Sequence, residues 1–245
     1  MLEDKISPSD PESYQLVKSL YQSCINLANI ESRGVQPLLS VVRAMGGWPL
    51  LEGEEWNKRE ATGFKWFELV WRFRDIGYSI DYLLDFSVTA DLKNSSRRVL
   101  DLDQPTLGLS REYLLQGLQN YQVQAYYRYM QEVALMLGAD RQAAQREMLE
   151  VLMFETQLAN ISLSSEQRRD SSMLYNPMKI KELYNLDPNT PWLEYINNLL
   201  TPEIVQVTEN ETVIVDVPRY IRDLSSLINI TPVRVQVNII IKWDK

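Results

Sequence analysis

Two helical periodicities joined by a very short link constrain the fold more than any other feature of this sequence. Leu114, Leu118, Tyr121, Ala125, Tyr129, Val133 and Met136 recur at intervals of three and four residues, which predicts one helix over 111–138. Ala144, Met148, Val151, Leu152 and Leu158 place a second over 140–162. Gly138 can close the first and Asp140 can cap the second. So short a link leaves an antiparallel pair as the arrangement to expect.

Other helix starts are marked by a capping residue followed by proline: Asp10-Pro11, Asn176-Pro177, Thr190-Pro191, Thr201-Pro202 and Thr231-Pro232. After Asp10, the residues Tyr14, Val17, Leu20, Tyr21 and Cys24 draw one apolar stripe. Pro37 opens a helix carrying Leu38, Leu39, Val41, Val42 and Met45, which Gly46-Gly47 can end. Residues 64–76 hold too many aromatics for a narrow stripe, so that helix should be packed on much of its circumference before Gly77 stops it. Alternation at Phe86/Val88 and Leu100/Leu102 around a turn-like ADLKNSSRR reads as a hairpin. SSEQRRDSS reads as a polar loop, followed by short helices near 177–185 and 191–200 and a strand at 212–217. The C-terminal Val233, Val235, Val237, Ile239 and Ile241 alternate like a strand, whereas Thr231-Pro232 before them reads as a helix start. The fold class is mainly α, with one small β-hairpin.

Composition narrows the chemistry. The 245 residues contain no histidine, which excludes Ser-His-Asp and Cys-His triads, HExxH zinc sites and haem-histidine ligation within the chain. With 25 Lys+Arg against 33 Asp+Glu, phosphate backbones are repelled on average and nucleic acid is no expected partner. No apolar run reaches the roughly 18–20 residues a membrane span needs, and the acidic MLEDKISPSD is unlike a signal peptide. Cys24, the single cysteine, cannot close an internal disulfide and reads as a small apolar residue facing a core or a partner. Acidic pairs such as Glu54-Glu55 and Asp101/Asp103, and the Arg168-Arg169 pair, read as solvated surface. GGWP at 46–49 lacks the spacing of a phosphate loop. Four N-x-[ST] sequons, at Asn94, Asn160, Asn210 and Asn229, are more than chance supplies and lean toward a secretory-pathway origin.

Several blocks, in order, carry a resemblance: YQSCINLANIESRGVQPLL at 21–39, GGWPL at 46–50, DLKNSSRRVLDLDQPTLGLSREYL at 91–114, and LEVLMFETQLANIS with RRDSSMLYNPM through 178. Together they resemble the N-terminal region of the neprilysin family of zinc metalloendopeptidases, which includes the endothelin-converting enzymes. The resemblance implies that residues 1–245 form most of a substrate-restricting helical lobe of an extracellular or plasma-membrane ectodomain. That family's HExxH zinc motif is absent here, and with it the ExxxD that follows downstream of it, so the chain is expected to be inactive alone and to bind no zinc. The resemblance also implies a helix through 232–242.

It assigns Arg33, within Ile30-Glu31-Ser32-Arg33-Gly34, to the carboxylate at the C-terminus of short peptide substrates. It makes Cys24 a thiol whose partner lies outside the chain. Departures exist: Leu114-Leu115 stand where many members carry a cysteine. The implied partners are peptide substrates and the missing catalytic lobe. The alternative reading is a catalytically silent helical module that binds peptides or proteins, its face exposed for want of that lobe.

Overall fold

A computed structural model describes residues 2–60, 63–200 and 205–242, and they divide into two compact units at Ala44. The first holds α1 (Glu12–Ile25), α2 (Leu27–Arg33) and α3 (Gln36–Ala44). Among its described residues the only buried side chains are Lys18 and Val42. The Lys18 ammonium donates to the Asp10 carboxylate at 2.7 Å and to the Lys5 carbonyl at 3.3 Å, tying the leading segment to α1.

The second unit begins with α4 (Pro49–Glu52), α5 (Glu54–Glu60) and α6 (Trp66–Asp75), followed by β1 (Asp85–Asp91) and β2 (Asn94–Asp103). Next come α7 (Arg111–Leu114), α8 (Tyr121–Met136), α9 (Arg141–Ile161), β3 (Asn176–Lys179), α10 (Ile180–Leu183) and α11 (Trp192–Leu199). β4 (Thr212–Val215), α12 (Pro218–Ile230) and α13 (Val233–Ile241) complete it.

At its centre α9 packs against α4, α7, α8, α12 and α13. Ala144, Met148, Val151, Leu152, Phe154 and Leu158 are buried there, each large apolar side chain stabilising by about 1.5–3 kcal/mol. The expected α8–α9 pair is present. Tyr126, early in α8, reaches Glu155 late in α9, and the Asp140 carboxylate caps α9 through the amides of Gln142 and Ala143. The single helix expected over 111–138 is interrupted: Gly117 sits at φ +59°, and Asn120 then starts α8 by accepting from the amides of Gln122 and Val123. α6 buries Trp66, Phe67, Leu69, Val70 and Phe73, as its crowd of aromatics requires.

Three of the X-Pro signals do precede helices, yet the polar residue caps none of them. Proline itself takes the N-cap position of α1, α11 and α13, so the residue before it lies one step outside and bonds elsewhere. Thr190 donates to Asp187 and Thr231 donates to the Leu227 carbonyl. Asn176-Pro177 is not a helix start: Asn176–Lys179 pairs with β4 as an edge strand, where the missing proline amide costs little. The Asn176 amide donates to the carbonyls of Met173 and Val215. Thr201-Pro202 lies outside the described residues.

The hairpin belongs to a larger sheet of order β1-β2-β4-β3, in which β2 and β4 run parallel and the other pairs antiparallel. The C-terminal conflict resolves as helix. Every residue from Val235 to Ile241 is buried, so the alternation of valines and isoleucines marks no face, and enclosure overrides their weak helix propensity.

Candidate functional site

Arg33 is the last residue of α2. The Asn26 carboxamide starts that helix by accepting from the Asn29 amide at 3.1 Å. Gly34 ends it at φ +50°, with its amide donating back to the carbonyls of Ile30 and Glu31. This turn leaves the Arg33 side chain exposed, and no hydrogen bond or ion pair joins it to another described residue, Glu31 included. Cys24 is a free, exposed thiol, so of the two alternatives, a core or a partner, the core is ruled out among the described residues. α1 buries nothing but Lys18, so its apolar stripe meets no core.

All four sequon asparagines are exposed. Asn94 opens β2, Asn160 lies near the end of α9, and Asn229 near the end of α12. Asn210, just before β4, accepts a hydrogen bond from Lys181 at 2.9 Å.

Two carboxylates are buried on the apolar stripe of α9. Glu147 accepts from Arg234 at 2.7 Å and from the Asn238 amide at 2.8 Å, while Asn238 accepts from the Trp48 indole at 2.8 Å. Arg234 also donates to the carbonyls of Pro49 and Gly53 and to the Asn57 side chain. Glu155 accepts from the Gly108 amide at 2.6 Å, the Tyr126 hydroxyl at 2.9 Å and the Lys242 ammonium at 2.5 Å. Sealed and fully bonded, these carboxylates fasten α13 to α4, α8 and α9 and are unsuited to acid–base work. Their signal lay in the sequence: charged residues at positions 147 and 155 fall on an otherwise apolar helical face, where a charge needs a partner.

Glu54 and Glu55 are exposed, as expected, but Asp101, Asp103 and Arg168 are half-buried. Arg168 makes a bidentate ion pair with Asp103, 65 residues earlier in the chain, at 2.8 and 2.5 Å. Its solvated-surface reading is therefore corrected; only Arg169 is exposed. A cavity of about 300 Å³ opens beside this pair, lined by Asp85, Gln104, Arg111 and Ser162 among others. A second, of about 280 Å³, lies over Trp66, Phe67 and Trp192 with Thr190, Ser225 and Gln236 at its polar side. Among the described residues no group of three or more Cys, Asp or Glu side chains is arranged to hold a metal ion, and no helix is long and apolar enough to cross a membrane.

The model of peptidase family M13, drawn for its N-terminal region, matches residues 1–243. Neprilysin-2 of Drosophila melanogaster is 43% identical over 230 residues, which cover 94% of this chain and 29% of that protein. Mouse membrane metallo-endopeptidase-like 1 is 36% identical over 253 residues, covering 98% of this chain and 32% of its own length. Among solved structures, the zinc metalloprotease Zmp1 of Mycobacterium tuberculosis in its open state superposes with a TM-score of 0.73 at 19% identity, over 97% of this chain and 34% of that one. The chain thus spans about a third of the length of the relatives it matches. On sequence and fold together, it belongs to peptidase family M13, the neprilysin family, and corresponds to that family's N-terminal region.

Proposed function

We propose that this chain supplies the substrate-restricting part of a neprilysin-like zinc metalloendopeptidase, shaping the cavity that admits peptides, with Arg33 binding the carboxylate at the peptide's C-terminus. The observation that carries this reading is the Ile30–Gly34 turn, which ends α2 on an exposed guanidinium that no described residue engages. A planar fork of donors in that state suits a planar carboxylate, which it can hold by two parallel charge-assisted bonds.

The residues present do not suit zinc. Histidine is absent, Cys24 stands alone and exposed, and the described acidic side chains form no three-ligand group. Hydrolysis therefore belongs to the portion of the relatives that this chain does not span, and the isolated chain neither holds catalytic zinc nor cleaves peptides. The first unit supports the idea of a covering lobe: Leu16, Leu20 and Leu27 are each more than 60% exposed, beside Val17, Ile25 and Ile30. Exposed sequons at Asn94, Asn160, Asn210 and Asn229 are in keeping with glycosylation on an extracellular or plasma-membrane ectodomain.

Binding of short peptides, offered as free acids and as C-terminal amides, tests the role of Arg33. Losing a charge-assisted pair worth about 1.5–3 kcal/mol, Arg33→Ala should weaken free-acid binding on the order of 10- to 100-fold and leave the amides unchanged. Equal loss for both forms removes the carboxylate anchor.

A further inference from the structure

The parallel seam between β2 and β4 is the shortest in the sheet. Only Leu100–Val213, Asp101–Ile214 and Leu102–Val215 face each other, extended by the Asp216 amide donating to the Leu102 carbonyl at 2.9 Å. Carboxylates crowd it. Asp101 and Asp103, two residues apart in β2, share a face, Asp85 of β1 stands directly opposite Asp103, and Asp216 follows β4.

Arg168 is bonded into this group: it holds Asp103 and also reaches Asp216 at 3.4 Å, so it spans the seam from the β2 side to the β4 side. No described residue hydrogen-bonds the Asp101 carboxylate. The other charged groups on the neighbouring cavity are Arg111, engaged with the Ser162 carbonyl, and Glu112. Asp101, Asp103 and Asp216 thus crowd one guanidinium in half-buried surroundings, where like charges repel more strongly than in water.

We propose that this seam is a pH-sensitive latch, in which proton uptake by Asp101 and Asp216 removes repulsion between β2 and β4 and strengthens the second unit in mildly acidic solution. Burial, then the Asp216, Asp103 and Asp85 carboxylates, pushes Asp101 up to about 7 despite Arg168. Burial and Asp103 likewise push Asp216 up to about 6. Because an unfolded aspartate titrates near 3.9, the native state holds more protons than the unfolded chain from there up to about 7, and stability rises as pH falls through that window. Asp91 has the opposite sign. The Lys93 amide and Arg97 hold it at about 2, so its contribution is present above the unfolded value and is lost only in strong acid.

Thermal unfolding of the chain in steps from pH 8.5 to 5.5 tests the latch, alongside Asp101→Asn and Asp216→Asn. The wild-type Tm should climb on the order of 5 °C as the pH falls. Asp101→Asn should raise the Tm at pH 8.5 and remove at least half of the slope. Amide exchange at Val213–Val215, corrected for intrinsic rate, should be several-fold slower at pH 6 than at pH 8 in the wild type. That second readout decides the matter even if a variant folds poorly. A Tm that is flat or falls on acidification, an unchanged slope in Asp101→Asn, or β4 exchange indifferent to pH would each overturn the proposal.

Discussion

The two units of this chain solve the problem of burial differently. From Met45 onward, a central helix is enclosed by five others, and even its two buried carboxylates, Glu147 and Glu155, are fully bonded. Up to Ala44, three helices with ample apolar residues bury one lysine and one valine. The lesson is that apolar periodicity predicts a helix without saying whether the surface that the stripe requires lies in the same chain. A helix of 14 residues such as α1 is marginal in water without packing, so the first unit depends on cover in a way the second does not.

Substitution can break or sharpen this contrast. All six tryptophans follow residue 44, so indole fluorescence reports the second unit alone. The largest effect is expected from Glu155→Ala, which removes the buried carboxylate that the Lys242 ammonium, the Tyr126 hydroxyl and the Gly108 amide share. The unfolding free energy read by tryptophan fluorescence in denaturant should fall by about 3–5 kcal/mol, as when one partner of a buried pair is removed. A loss below about 1 kcal/mol, the level of a surface ion pair, would mean that the α9–α13 clamp does not hold the unit together. The smallest is expected from Leu20→Asp. Leu20 is 67% exposed, so the same measurement should move by no more than about 0.5 kcal/mol, while sedimentation shows less self-association. A large destabilisation there would mean that the stripe already has its cover.

Much of this architecture was legible because local signals and global packing agree. The α8–α9 pair, the hairpin and α6 follow from periodicity and from Gly138, Asp140 and Gly77. The start of α8 was not legible, since the apolar spacing runs on through residues where Gly117 adopts a left-handed turn and Asn120 restarts the helix. Nor was β3, because Asn176-Pro177 has the form of a helix start, and only pairing with β4, nearly 40 residues later, makes it an edge strand. α13 shows the limit of the period-two rule, which presumes one wet face and fails where both sides are enclosed.

The candidate site divides in the same way. The Arg33 turn lies within adjacent residues, where the resemblance could mark it, while the Asn26 cap and the Gly34 end of its helix come from the structure. The Asp101–Asp216–Arg168 group is assembled from three distant stretches, and nothing local distinguishes its members from solvated charges.

Hydrogen exchange of the isolated chain, resolved to peptides from each unit, tests the central contrast most directly. The account expects amides of 12–44 to exchange within seconds to minutes while those of α9 remain protected near the limit set by global unfolding. Protection across α1–α3 equal to that of α9 would contradict it, because the first unit would then be complete without a covering lobe.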